Sequence, residues 1–460
     1  MSKPLLILPV ENQVRELDAK LLLACVAAQN NYRCLIGWKG LIDARIGRFP
    51  PSVYLAKSMT RHNLKMLRIK RKLGHQVAAW DEEALVHYPK EIYYARRVSS
   101  ESLKFIDLFI AWGEDNRELL EAHPDFNGAP IHVLGNPRSD LLRPEFRDFY
   151  SEQVDRIKYE YGDFILINTN FGSINGYSEK LNLLRQVNDD AGEWVISRTA
   201  IGMPPDYARG LFHHRSGVFR EFQGLVKEIA SAYPQRRIVL RPHPVEDHGF
   251  WRAWCAEFDN VEVNAEGNVI PWLLAAGCLV HNGCTTAVEA YLLGTKVVSF
   301  VPLTDDRYEF ELPNELGDYA GSAQEVIEKI GAGSVSVQSA EKCRVKRELV
   351  SRYITSLEGT LASQKIVDVL ARYFDVDLHL PPTITRVAGI IRAEIRASKK
   401  RLQRMIGIAR YDRAFMRQRF PKIAVDEVQD RADRLTQLSG GGHQVRVLLR
   451  EDDLFETYAV

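Results

Sequence analysis

Short apolar runs alternate with helix-like stretches from the start of the chain. LLILPV (5–10) precedes a segment whose apolar positions Val14, Leu17, Leu21, Leu22 and Cys25 recur at three-to-four spacing, which predicts a helix with one buried face. RCLIGW (33–38), SVYLAK (52–57), HQVAAW (75–80), DLFIAWG (107–113) and IHVLG (131–135) read as further strands. Strands that are apolar without alternation, separated by helices, imply a parallel sheet covered on both faces. After the charged link FRDFYSEQVDRIKYEYGD the pattern restarts with FILINTN (164–170), RIVLRPH (237–243), VEVNAE (261–266), CLVHNG (278–283) and KVVSFVP (296–302), and 204–236 reads as a long helical crossover. The expected fold is α/β: two doubly wound, Rossmann-like domains over 1–150 and 160–340, facing across a cleft. Ligands bind at the carboxyl ends of such strands, where helix N-termini and unpaired backbone donors meet.

Beyond these domains, 341–375 reads as a helix packing back onto the body and 380–460 as a basic helical extension. From Arg386 to Lys422 there are twelve Lys or Arg against Glu394 and Asp412. Val387, Ile391, Ile395, Leu402, Met405 and Ile406 form an apolar stripe through part of this run. A basic amphipathic helix suits an anionic inner-membrane surface, here through 384–424; a solvated helix laying its stripe on the body suits the same pattern. Sparse aromatic interleaving argues against nucleic acid. The segment GGGHQVRVLL suggests one further strand.

Composition narrows the class. The chain has 460 residues, 45% of them hydrophobic and 10% aromatic, which is enough for two or three cores and excludes disorder. With 61 basic and 60 acidic residues it is not a globally basic nucleic-acid binder. Six cysteines (25, 34, 255, 278, 284, 343) show no CxxC spacing, so reduced thiols are expected rather than a zinc site or a disulfide framework. No run reaches the roughly 18 apolar residues of a membrane span. A cytoplasmic protein is expected, with any membrane contact peripheral.

Candidate chemistry clusters at the predicted strand ends. In VHNGCTTAVEAYLLGTKVVSF (280–300) a strand ends, Asn282-Gly283 permits a sharp turn, and Thr285-Thr286 opens a helix. Free N–H groups, the positive end of the helix dipole and two hydroxyls would meet there, suiting a phosphate. Glu289, one turn on, could accept from ribose hydroxyls. In RIVLRPHPVEDHGFW (237–251), Arg241 and His243, followed by Pro244, could neutralise charge on a phosphate leaving group. Thr169, Asn170, Phe171, Gly172 and Ser173, at the mouth of FILINTNFGSING (164–176), suit a diphosphate or an exposed turn. Asp81, Glu82 and Glu83 in WDEEA offer a general base, or N-capping of the next helix, which spacing alone favours. Near the first strand–helix junction, Arg15 could hold a substrate carboxylate or pair with its neighbours, with Glu16 beside it.

These segments carry a resemblance. HNGCTTAVEAYLLGTKVVSF resembles the nucleotide-binding motif of GT-B glycosyltransferases and related nucleotide-sugar epimerases. The ordered set PVENQVRELDAKLLLA, WDEEALVHY, VLGNPRSDLL, ILINTNFGSIN, RPHP and HNGCTTAVEA, across roughly 5–310, is similar to bacterial surface carbohydrate biosynthesis proteins. Transferases of this type that use CMP-activated sialic acid or Kdo have a His-Pro motif at the CMP phosphate, matched by His243-Pro244. They also have an acidic pair followed by Gly that carries the base, matched by Glu82-Glu83 but with Ala84 in place of Gly. The resemblance implies a metal-independent glycosyltransferase with no cofactor besides its donor, moving a CMP-linked acidic sugar onto a surface glycan or lipid-linked acceptor. Arg15 then becomes a candidate for the sugar carboxylate. A nucleotide-sugar 2-epimerase, a CDP-glycerol-type transferase and a non-catalytic membrane-docked scaffold remain open.

Overall fold

The structure is a computed structural model describing residues 3–186, 194–332, 340–374, 380–406, 417 and 419–460. Arg410, Asp412 and Arg413 of the basic run, and the side chain of Arg404, lie outside the described residues. Six strands lead the chain: β1 (Leu5–Val10), β2 (Arg33–Trp38), β3 (Val53–Ala56), β4 (Gln76–Ala79), β5 (Leu108–Ala111) and β6 (Ile131–Val133). A second series follows with β7 (Phe164–Asn168), a small hairpin of β8 (Leu184–Gln186) and β9 (Trp194–Ile196), then β10 (Arg237–Arg241), β11 (Val261–Val263), β12 (Cys278–His281), β13 (Val297–Phe300) and β14 (Asp318–Ala320). β15 (Val445–Glu451) and β16 (Leu454–Ala459) end the chain.

The chain divides into two compact units. Unit 1 comprises 1–85, 97–149 and 352–460; unit 2 comprises 86–96 and 150–351. Both are doubly wound α/β structures, as the apolar runs predict. In unit 1 the strand order is β15-β16-β2-β1-β3-β4-β5-β6, parallel from β2 to β6, with the β15–β16 hairpin antiparallel at the β2 edge. In unit 2 the order is β11-β10-β7-β12-β13-β14, parallel throughout. The order reverses direction between β1 and β3 in unit 1 and between β7 and β12 in unit 2, and the carboxyl ends there are the topological switch points. The core strands are buried on both faces because their side chains are apolar along their length, as in LLILPV and the first four residues of FILIN, whose last, Asn168, stands at the carboxyl edge. In unit 2 the 28-residue helix Pro205–Ala232 makes the crossover and inserts Val218, Phe222, Leu225, Val226 and Ile229 beneath the sheet.

Neither unit is one continuous stretch of sequence. Residues 86–96 join unit 2, where Ile92 is buried with Leu183, Leu184, Met203 and Leu211. The C-terminal residues return to unit 1. The stretch 341–375, expected as one helix, forms two, Ala340–Tyr353 and Ala362–Tyr373. The break has a physical cause. Ser356 adopts a left-handed conformation (φ 61°) with its hydroxyl donating to Leu134 O. The fully buried Asp140 then caps the second helix, accepting from the Ala362 and Ser363 N–H groups, both at 2.8 Å, and from the Ser363 hydroxyl at 2.7 Å. The tail is not purely helical either. Helix Thr383–Met405 lies on helices Leu64–Leu73 and Lys39–Arg45, helix Val425–Leu438 lies on Gln13–Gln29, and β16 extends the sheet, so two strands form where one was expected.

Asp140 therefore ties the returning chain to unit 1. Asp140→Ala leaves two buried N–H groups and a hydroxyl without an acceptor. Its expected cost is about 2–3 kcal/mol, read as a lowered urea midpoint, with a smaller loss for Asp140→Asn, which keeps one accepting oxygen.

Candidate functional site

At the unit 2 switch point, the ends of β7, β10 and β12 sit side by side, with Asn168 in register between Arg241 and His281. This brings three sequence-predicted segments, 169–173, 241–244 and 282–289, to one sheet edge. One side chain holds two of them in place. Glu246, almost fully buried, accepts from the Thr169 hydroxyl at 2.8 Å, Phe171 N–H at 2.9 Å, His243 N–H at 3.1 Å and Trp251 Nε1 at 2.8 Å. Burial pushes its carboxyl up, and these donors draw it back toward the ionised form. Gly172 is needed for the same closure, because a Cβ there would lie 2.3 Å from Val245 Cγ2.

Asn168 Nδ2 donates to Thr286 Oγ1 at 3.0 Å, while its buried Oδ1 has no partner. Ser173 Oγ is likewise buried and unpartnered. Across the edge, Gly283 turns at φ 54° and its N–H donates to Asn314 Oδ1 at 2.8 Å, while Asn282 Nδ2 holds Phe300 O at 2.9 Å. No side chain caps the helix Thr286–Leu293. The Ala287 and Val288 N–H groups donate to Cys284 O at 3.0 Å and to Thr285 O at 3.1 Å, and the Thr286 hydroxyl donates to Cys284 Sγ at 3.1 Å, with Thr285 and Thr286 both half-buried there. Glu289 stands one turn further along. His243 Nδ1 accepts from Val245 N–H at 3.3 Å, which assigns the proton to Nε2, and Pro244 beside it is exposed.

Arg241 does not take the role its sequence suggested. Its guanidinium donates to the carbonyls of Asn264 (3.3 Å), Glu266 (2.8 Å) and Gly267 (2.9 Å) and stacks over Trp272. Burial lowers its pKa to about 10, against the raising influence of Glu266. It fixes the loop after β11, and those donors are not available to a phosphate.

Sequence reasoning missed several neighbours. Arg215 donates to Asn170 O at 2.8 Å and lies over the Phe310 ring, with its Nε buried and unpartnered. His214 meets Glu309 at 2.7 Å, and Glu309 accepts from Asn314 Nδ2 at 2.9 Å, a chain that ends on the Gly283 N–H. His214 and Arg215 sit inside a 28-residue helix whose pattern signals only a crossover; the polar run HHR (213–215) on an otherwise amphipathic helix was the available sign.

The carboxyl edge of unit 1 carries a different arrangement. Glu16 is buried between Lys20 Nζ (2.9 Å) and Lys57 Nζ (2.6 Å) and also accepts from Glu11 N–H at 3.0 Å. It anchors the β1 turn and has no surface to offer a substrate. Glu82 Oε1 is held by Lys20 at 3.0 Å and by Trp80 Nε1 at 2.9 Å, while its buried Oε2 has no hydrogen-bond partner. Burial raises its pKa, and Lys20, Lys57 and Arg138 together lower it below the ordinary value. Asp81 is buried against the Arg97 guanidinium, with Nε at 3.0 Å. Of the three acids only Glu83 reaches solvent, its side chain 47% exposed and ion-paired with the Arg15 side chain at 36%. Burial raises the Glu83 carboxyl, and Arg15 overrides this to bring it to about 2. Two sequence candidates thus hold each other.

No protein-family profile matches the chain, and no curated protein matches it. Among solved structures it is similar to a UDP-GlcNAc 2-epimerase from Methanocaldococcus jannaschii (TM-score 0.49, 11% identity, 80% of this chain and 99% of that one). It is also similar to the wall teichoic acid polymerase TagF (0.48, 12%, 81% and 89%) and to a putative UDP-N-acetylglucosamine 2-epimerase from Listeria monocytogenes (0.48, 12%, 82% and 98%).

His281 gives the site a pH signature. It is fully buried with Nε2 at 3.0 Å from Ser299 Oγ, and burial lowers its pKa from an ordinary 6.5 to about 3. The neutral ring's contribution is complete above pH 6.5 and is lost as pH falls toward 3. Between pH 6.5 and 4.5 this amounts to about 2–3 kcal/mol. Thermal unfolding across that window is expected to fall more steeply in the wild type than in His281→Gln, which cannot titrate, and the difference between the two curves isolates His281 from other groups.

Proposed function

We propose that this chain is a nucleotide-sugar-dependent glycosyltransferase of surface-glycan synthesis, with unit 2 holding the donor's nucleotide at the β7/β12 switch point. One observation carries the reading. A parallel 3-2-1-4-5-6 sheet places an unpartnered buried Asn168 Oδ1, the orphan Ser173 Oγ and the uncapped start of helix Thr286–Leu293 at the edge where such sheets bind ligands. In this reading the Thr285 hydroxyl and the dipole of the helix start take a phosphate, with Thr286 held behind it between Asn168 and Cys284, and Glu289 takes the ribose. His243 donates its Nε2 proton to oxygen as negative charge develops on the departing phosphate. Arg241 supports this from behind by fixing the adjacent loop.

For unit 1, the reading gives base chemistry to Glu83 rather than to Asp81 or Glu82, because it alone of the three is accessible. A carboxylate at a pKa of about 2 is a poor base. An anionic substrate group that captures Arg15 would remove the charge that holds Glu83 down and leave burial to raise it, coupling substrate arrival to base activation. That coupling, together with His243-Pro244, favours an acidic sugar on a CMP carrier as the donor.

The test is thermal stabilisation by CMP, CDP, UMP, UDP and GDP. A ligand at 100 times its Kd adds about 2.7 kcal/mol. Selective stabilisation by CMP, weakened at least tenfold in His243→Ala and in Thr286→Val, supports the acidic-sugar transferase. Selectivity for UDP moves the donor to a neutral sugar or the activity to an epimerase, and selectivity for CDP moves it to a glycerol-phosphate donor. No shift with any nucleotide overturns nucleotide binding at this edge.

A further inference from the structure

Helix Thr383–Met405 has two apolar faces, and only one is covered. Gly389 and Ala393 sit on the covered side: a Cβ added to Gly389 would lie 3.1 Å from Lys72 Cβ, and Ala393, 2% exposed, touches the chain at Gly47. This side packs on helices Leu64–Leu73 and Lys39–Arg45. The small residues allow close approach there, which means the large apolar side chains are not what fastens the helix to unit 1. Those side chains point the other way. Ile384, Val387, Ile391, Ile395, Leu402 and Met405 are exposed, Ile391 at 53%, Ile395 at 63% and Met405 at 73%. At 100° per residue they fall within an arc of roughly 100°, a straight 3.6-residue stripe along the whole helix. A coiled-coil partner would instead follow a 3.5-residue seam, and on that seam Glu394, Ser398 and Arg401 interrupt the apolar positions.

The flanks of the stripe are cationic. The helix holds seven Lys or Arg against Glu394 alone; Arg392 and Lys399 line one side of the stripe with Arg401 on the other, while Arg396 lies on the covered side near Asp43. On the Arg401 side a recess of about 720 Å³ opens between this helix and Lys39–Arg45, where Arg45 pairs with Glu451 and Arg48 with Glu394, leaving Arg401 as its further cation and Met405 at its end. No helix among the described residues is long and apolar enough to cross a membrane.

We propose that this face is a membrane-docking surface, in which the stripe enters the headgroup–acyl boundary of an anionic bilayer and the flanking cations Arg392, Lys399 and Arg401 take lipid phosphates. The charge pattern selects the occupant: an apolar ridge with cations on its flanks complements a surface that is apolar inside and anionic at its rim. Transfer of the stripe out of water and attraction of the cations to an anionic leaflet act in the same direction. The inference needs no nucleotide and stands apart from the transferase reading.

The experiment is co-sedimentation of the full chain with vesicles of phosphatidylcholine alone and of phosphatidylcholine with 30% phosphatidylglycerol, in wild type, Ile391→Asp/Ile395→Asp and Val387→Asp/Leu402→Asp. All four positions are exposed, so unfolding temperatures are expected to match the wild type and serve as the folding control. The expected result is binding to the anionic vesicles, weakened by 0.5 M salt and at least tenfold weaker in both double variants. Three results each overturn the proposal: no binding by the wild type, equal binding by folded double variants, or wild-type self-association by light scattering that the double variants abolish without any vesicle binding.

Discussion

A carboxylate taken out of water must be met by donors, and in this chain that requirement does the long-range organising. Glu246 answers to four donors from three stretches of sequence, and meeting them closes the β7 loop onto the loop after β10. Glu16 answers to Lys20 and Lys57, and through Lys20 to Glu82, which ties the ends of β1, β3 and β4. Asp140 answers to the first turn of a helix more than two hundred residues away in sequence. Removing one partner of such a buried group costs far more than the net worth of the bond, because the charge stays behind unpaired. Loop geometry at both sheet edges therefore follows from electrostatic satisfaction as much as from apolar packing.

The same requirement sorts the chemically suggestive residues. Arg241, Asp81, Glu82 and Glu16 are reactive types at strand ends, yet each has its charge met by partners: three carbonyls for Arg241, Arg97 for Asp81, and the buried lysines Lys20 and Lys57 for Glu82 and Glu16. The groups left with capacity are mostly neutral: Asn168 Oδ1, Ser173 Oγ and the opening turn at Thr285-Thr286. An edge lined by neutral acceptors, hydroxyls and backbone donors suits a ligand that brings its own charge and is held by many short dipoles. Unit 1 presents the opposite case at Glu83, where an exposed ion pair between Arg15 and Glu83 is strong enough to mute the acid and loose enough to be exchanged.

Much of the fold was legible because core strands declare themselves. LLILPV, FILI and CLV are apolar without alternation, and their positions in sequence match strands of both sheets; the polar Asn168 and His281 come only at the carboxyl ends. The strand-end segments were legible for the same reason, since a motif after a buried parallel strand is delivered to the carboxyl edge. What escaped depended on distant partners. β16 reads LFETYA, with a Glu in mid-strand that argues against a buried strand; Glu456 is tolerated because Arg33 and Arg450 cover it. Glu246 was visible in RPHPVED, but nothing local distinguishes a hub from one more surface acid. The excursion of 86–96 into unit 2 and the return of 352–460 to unit 1 escaped because apolar periodicity records burial without saying where.

The helix Thr383–Met405 shows how a structure decides between two uses of one pattern. An amphipathic helix attached through its large apolar residues would have consumed its stripe in the core. This one is attached through Gly389 and Ala393, residues that contribute little area but allow a short interhelical distance. Keeping several exposed isoleucines and leucines in water forgoes stabilisation that a small sequence change could recover, either by turning the stripe inward or by replacing it with polar residues. Under the docking proposal that cost is offset when the stripe meets an apolar layer with an anionic rim, and the helix would serve unit 1 through one face and a surface through the other.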